Sequence, residues 1–213
     1  MSKVFTFAAA METKEKEVLL KAAELFARFG IKSMTMDDVA HQLGISKKTL
    51  YQYVSNKKEL VKKCIQEHID SEECMAKEFL GQSENAIDEL MAMTKLVSTQ
   101  MKEMHPSVIF DLKKYHFEAY QRLTQHRDEF IYNHIKCNLK EGVKSGLYRN
   151  NINPDILARL YISMVNVIMD PVQTDLSSFN NADIYNEMIR YHVRGIASAE
   201  GRKYLKEKFN QDS

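Results

Sequence analysis

Residues 35–60, TMDDVAHQLGISKKTLYQYVSNKKEL, leave the chain few choices of local structure, because three helix-start signals follow one another at short intervals. Thr35 is placed to cap a first helix. Asp38 lies three positions on, where a carboxylate meets the free N–H groups of the opening turn. Val39, Ala40 and Leu43 give that helix an apolar stripe. Gly44 ends it, as a residue at ease in the left-handed conformation. Ser46 caps a second helix over 47–53, whose buried side is assigned to Leu50 and Val54. Asn56 caps a third, with Glu59 at the capping-box position. Two short helices joined by a tight glycine turn, the second with polar and aromatic tips, make a helix-turn-helix.

Charge agrees with that pattern. Between Gln42 and Lys63 stand six lysines (Lys47, Lys48, Lys57, Lys58, Lys62 and Lys63) and one acid, Glu59, while the 213-residue chain is nearly neutral at +1. The basic excess is therefore local. Beside Tyr51, Gln52 and Tyr53 it suits a DNA backbone and groove edge.

The rest of the chain predicts helices throughout. Seven glycines and three prolines leave little material for turns, and no strand-like alternation is sustained. A first helix is expected over 13–29, with Val18, Ala22, Leu25, Phe26 and Phe29 on one face and Glu12, Glu15 and Glu17 at its N-terminal end. Phe26, Phe29, Ile31, Val39, Leu43, Ile45 and Leu50 form the expected core of the small N-terminal bundle. Residues 1–10 are expected to be a flexible arm, or to precede a true start at Met11.

Here the chain resembles a known family. Ala22-Ala23-Glu24-Leu25-Phe26, Phe29-Gly30, Thr35 to Ala40, Leu43-Gly44-Ile45-Ser46, Thr49 to Tyr53 and Lys57 to Leu60 are similar, in order and spacing, to the DNA-binding domain of the TetR/AcrR (tetracycline-repressor) family of bacterial transcription regulators. Val54 departs from the family pattern, which usually has Phe there; that trims a core contact and leaves the DNA face alone.

The resemblance implies an all-α fold: an N-terminal three-helix domain over 11–71, joined by its fourth helix to a larger effector-binding and dimerisation domain over 72–213. It implies a homodimeric repressor, released from a double-stranded DNA operator by an unidentified small-molecule effector. Thr35, Lys47, Lys48, Thr49, Tyr51, Gln52, Tyr53 and Lys57 are the expected DNA contacts. Gln can pair two hydrogen bonds with an adenine edge, and lysines reach guanine acceptors or phosphates. An effector-independent regulator or activator, and last an all-helical enzyme, stand as alternatives.

Beyond the motif, helices are expected after Ser83, from Pro106 to about residue 125, over 128–144, from Asn153-Pro154-Asp155 onward, over 182–197 and over 200–209, with a loop at 172–180 and a frayed end at 211–213. Met101, Phe110, Phe117, Tyr120 and His134 are the candidate pocket residues; plain core packing is the competing account of each. The helices that follow Asn153 and Ala182 are apolar around much of their circumference, which fits a four-helix seam between two copies.

No phosphate loop, nucleophile elbow or His/Glu metal motif is present, so neither catalysis nor a cofactor is expected. Cys64, Cys74 and Cys137 are an odd set, which favours a reducing cytoplasm over a disulfide framework. Cys64 and His68, one helical turn apart, form a weak metal pair, and a buried thiol is the better account. No stretch approaches the length of a membrane span.

Overall fold

The structure, a computed structural model, describes residues 2–169, 176 and 178–209, with side chains from Thr13 onward. Its helices are α1 (Ser2–Phe29), α2 (Met36–Gln42), α3 (Lys47–Tyr53), α4 (Lys57–Gln82), α5 (Ala86–Glu103), α6 (Val108–Tyr115), α7 (Phe117–His126), α8 (Tyr132–Lys144), α9 (Pro154–Met169), α10 (Asn181–Ile196) and α11 (Ala199–Phe209). A π-helical turn, Arg127–Ile131, joins α7 to α8. Among the described residues the only β pairing is a single bridge between Tyr148 and Ala197. No helix among them is long and apolar enough to cross a membrane. The expected loop at 172–180 lies mostly outside the described residues, and so do 211–213.

The chain forms two compact units: Met1–Glu72 with Glu103–Thr124, and Glu73–Lys102 with Gln125–Ser213. The division expected at 71/72 is therefore incomplete, because residues 103–124 belong with the N-terminal helices. Val108, Leu112 and Ala119 are buried in the same core as Val18, Leu19, Ala22, Phe26, Val39, Leu50, Val54 and Leu60. No local pattern announces this; Val108 and Leu112 are simply four apart, one helical turn.

Three expectations in the first unit change. Helix α1 begins at Ser2 rather than near residue 13, so Glu15 and Glu17 sit inside a helix, away from its free N–H groups. They find lysines instead, Glu15 with Lys63 and Glu17 with Lys21, each at 2.7 Å. Phe29, expected in the core, is exposed at the last residue of α1, with the Arg28 guanidinium 5.3 Å from its ring centroid. The helix expected from Pro106 to residue 125 breaks at His116, whose φ −134° and ψ 51° are not helical.

In the second unit Tyr148 is the best-anchored side chain. Its hydroxyl proton is shared between two acceptors, the Ala86 carbonyl at 3.2 Å and Asn138 Oδ1 at 3.1 Å. Its ring lies so close to Gly142 that a Cβ there would be 2.0 Å away. Asn138 donates in turn to the buried Glu89 carboxylate at 2.8 Å, and His134 Nε2 lies 3.0 Å from the same carboxylate. Backbone bonds from Arg149 to Ile196 and from Ser198 to Leu147 clamp the connector after α8 against the end of α10.

Candidate nucleic-acid interface

The interface is built from capped helices. Thr35 caps α2 in a reciprocal box: its Oγ1 accepts from the Asp38 amide at 3.1 Å, and the Asp38 carboxylate accepts from the Thr35 amide at 2.8 Å. The Thr35 hydroxyl also donates to that carboxylate at 2.7 Å, and this bond first, with the Thr35 amide second, holds the Asp38 carboxyl below the usual carboxylate range. Helix α2 closes on Gly44, whose φ of +65° is the left-handed turn the sequence required. Ser46 caps α3 by accepting from the Thr49 amide at 3.0 Å, and the Ser46 and Thr49 hydroxyls lie 2.8 Å apart. The α4 cap differs from expectation by one residue. Asn56 accepts from the Glu59 amide at 2.9 Å, but the Glu59 carboxylate reaches back to the Ser55 amide at 2.7 Å, not to Asn56.

Fixed in this way, α3 presents one face outward. Leu50 and Tyr53, with Val54 just past the end, are buried, and at ~100° per residue they define one side of the helix. Lys48, Tyr51 and Gln52 share the other side by three- and four-residue spacing and are exposed, as is Lys47. Tyr53, at 8% exposure, belongs to the core, unlike Tyr51 at 43%. The hydrogen bonding of Thr35 and Thr49 makes both part of the helix caps.

The lysine excess is more constrained than its sequence implies. Lys47 pairs with Asp37 at 2.7 Å. Lys58 and Lys62 share Glu118 at 3.2 and 3.5 Å. Lys63 pairs with Glu15 at 2.7 Å and donates to the Tyr53 carbonyl at 2.8 Å. Two of these three acids are far away in sequence, so no window around the motif contains them. Lys57 opens α4 and donates to the Lys32 carbonyl at 3.4 Å. Burial pulls its pKa below the ordinary lysine value, against the opposing pull of Asp111 and Asp38.

Asp111, on α6, was missed by the sequence. Buried in the first unit, its carboxylate accepts from the Lys32 amide at 2.9 Å and the Ser107 hydroxyl at 3.2 Å. It fixes the loop between α1 and α2. Gly30 at the start of that loop has φ +83°, and a Cβ there would stand 2.8 Å from Ser107 Oγ.

The candidate pocket residues are divided between the two units. Met101 is buried and His134 part-buried in the second unit, while Tyr120 packs against the first unit's core. Phe110 and Phe117, 55% and 56% exposed, are surface residues of the first unit. On α6 the buried face carries Val108, Asp111 and Leu112, and Phe110 lies ~200° from both Val108 and Leu112. Cys64 is a core thiol that donates to the Leu19 carbonyl at 3.4 Å, and burial pushes its pKa up to about 12, away from the thiolate a metal requires.

Comparison with known proteins supplies a family for this geometry. Residues 18–64 match the profile of the bacterial regulatory proteins of the tetR family. The chain is 28% identical over 189 residues to the uncharacterised HTH-type transcriptional regulator YvaF of Bacillus subtilis (strain 168), covering 87% of this chain and 97% of that protein. It is 23% identical over 159 residues to the HTH-type transcriptional repressor KstR2 of Mycobacterium tuberculosis (strain CDC 1551 / Oshkosh), covering 71% and 78%. A solved transcriptional regulator from Saccharomonospora viridis, in complex with choline, shares the fold at a TM-score of 0.65 and 16% identity, covering 88% of this chain and 99% of that one.

Proposed function

We propose that this chain, which belongs to the tetR family of bacterial regulatory proteins, acts as a homodimeric repressor released from its operator by a small molecule. It is a DNA-binding transcriptional regulator. The observation that carries groove entry is the exposed face of α3: Lys47, Lys48, Tyr51 and Gln52 stand out from a helix whose other side is locked into the core by Leu50 and Tyr53. A side chain can read a base edge only from such a fixed platform. Gln52 reads bases, Lys48 reaches a base or phosphate, and Lys57 anchors the backbone at the α4 N-terminus. Thr35 and Thr49 act by holding α2 and α3, and their hydroxyls stand close to the same backbone.

The division of labour follows the two units. The first grips DNA; the second pairs two copies and takes the effector. Pairing is supported by a stripe on α9, where Ile156, Leu160 and Val167 are exposed at four- and seven-residue spacing, and by Tyr191 on α10, 75% exposed. Two α3 helices then meet successive major grooves ~34–36 Å apart, or a multiple of that distance. An effector that favours another spacing lowers operator affinity by linkage. The KstR2 relative is a repressor by name, and the Saccharomonospora viridis relative holds choline; both favour repression with a small ligand here.

The test starts with duplexes recovered from a random pool by the full chain. Lys57→Ala weakens binding to all duplexes alike and lowers the salt slope by about 0.9. Gln52→Ala changes which base is preferred. Leu160→Glu converts the dimer to monomer in sedimentation. If Lys57→Ala and Gln52→Ala both leave the binding profile unchanged, the assignment of this face is wrong.

A further inference from the structure

A cluster of lysines links the matched stretch, residues 18–64, to helix α6. Lys32, in the loop after α1, and Lys114, on α6, both stand over the ring of Tyr115, 5.2 and 5.4 Å from its centroid. Lys114 also lies 5.2 Å from the centroid of Phe110, an exposed aromatic of the same helix. Lys32, Lys114 and Tyr115 are all exposed. Among the described residues, neither lysine has a carboxylate at ion-pair distance, in contrast to Lys47, Lys58, Lys62 and Lys63. Two ammonium groups thus meet on one phenol, and among the described residues neither is ion-paired to a carboxylate. Such a convergence costs electrostatic repulsion and is the arrangement an anion relieves.

The cluster is continuous with the anchor at α4. The Lys57 ammonium donates to the Lys32 carbonyl, and the Lys32 amide is fixed by Asp111, so the position of Lys32 is set from both sides. Tyr115 closes α6 just before the break at His116, which ends that helix at the cluster.

We infer that Lys32, Lys114 and Tyr115 form a second phosphate-gripping surface of the first unit, extending DNA contact from Lys57 onto α6. This rests on the DNA-binding reading of that unit. The chemistry is sequence-independent: two point charges and a phenolic donor suit phosphate oxygens and carry no base readout. Its consequence is a footprint wider than the helix-turn-helix alone would give.

The test uses the full chain and a duplex it has recovered from a random pool, with affinity measured across a salt series. A Lys32→Gln/Lys114→Gln double variant lowers the magnitude of the salt slope by about 1.8, the release expected for two phosphate contacts. Lys32→Arg/Lys114→Arg retains the native slope. Lys140→Gln/Lys203→Gln, with the same change in net charge at two exposed lysines of the second unit, also retains it. Hydroxyl-radical footprints shorten at their edges in the Gln double variant only. An unchanged slope in that variant, while Lys57→Ala still flattens it, overturns the second surface and leaves the first intact. If neither variant moves the slope, the DNA-binding reading of the whole face falls with it.

Discussion

Asp111 offers the sharpest test of how α6 supports the DNA-binding helices. The perturbation is Asp111→Ala, with Asp111→Asn beside it. The carboxylate is buried and accepts two bonds, from the Lys32 amide at 2.9 Å and the Ser107 hydroxyl at 3.2 Å. Hydrogen bonds to a charged acceptor contribute about 1.5–3 kcal/mol each, and the longer one belongs at the bottom of that range. Some of the sum is recovered, because the Lys32 donor is only part-buried and water can replace its partner. Asp111→Ala is therefore expected to cost about 2–4 kcal/mol. Asn keeps an acceptor oxygen in the same place and loses only the charge, so it should cost about 1 kcal/mol. For a chain of this length each kcal/mol shifts Tm by about 2–4 °C, which gives drops of about 4–16 °C for Ala and about 2–4 °C for Asn. Differential scanning calorimetry with urea titration reads both. If Asn proves as costly as Ala, the acceptor is irrelevant and the loop is not held in this way. A cost for Ala within about 0.5 kcal/mol, the range of an ordinary surface substitution, refutes the reasoning altogether.

Further outcomes follow from single contacts. Gly30 and Gly44 both adopt positive φ, but a Cβ at Gly44 meets open space while one at Gly30 meets Ser107 Oγ at 2.8 Å. Gly44→Ala should thus cost only the left-handed penalty, about 1–2 kcal/mol, and Gly30→Ala measurably more, as read by urea midpoints. Gly142→Ala drives a Cβ into the Tyr148 ring, which its two hydrogen bonds hold in place; overpacking of about 1–3 kcal/mol or more should appear as a lowered Tm. Burial holds the His192 imidazole down to about 4 from an ordinary 6.5. Between those values the unfolded chain binds the extra proton, so stability is lost as pH falls through this window, by about 3 kcal/mol in all. His192→Phe, which keeps a ring against Tyr161, should flatten that acid limb in denaturation midpoints taken across the range.

The capped helices were legible because their signals are local. Thr35 and Asp38, Ser46 and Thr49, and Asn56 and Glu59 are each three apart, and the bonds they form close within one turn. Leu50 and Val54 were legible as core from helical spacing alone. Tyr53 was not, because an aromatic with a polar tip suits a groove edge and a core position equally; only packing decides. The membership of α6 and α7 in the first unit was invisible for another reason. It depends on contacts between residues about 50–100 positions apart, such as Asp111 with Lys32, and the break at His116 carries no glycine or proline to mark it. The exposure of Phe110 was not legible from its type, because the inner face of α6 is set by Val108 and Leu112, and Phe117, the first residue of α7, is likewise exposed.

The lysines show what a count of charges along a chain leaves out. A lysine held by a carboxylate brings almost no net charge to a phosphate, and the acid repels the same phosphate if it stays. Lys58 and Lys62 share Glu118, Asp37 offsets Lys47 and Glu15 offsets Lys63, so four of the six lysines in the motif are ion-paired, by three carboxylates that cancel three of their four charges. The exposed pairs are individually weak, about 0–1 kcal/mol, and a well-placed phosphate can displace the carboxylate. A misplaced one gains little. If α3 seats in the groove as proposed and each lysine finds its phosphate there, non-specific binding, which rests on summed phosphate charge, is expected to be reduced more than binding at that site. On the proposed contacts, local acids on the DNA-binding face are expected to raise the ratio of specific to non-specific affinity, the quantity that decides whether a regulator finds its operator among competing sites.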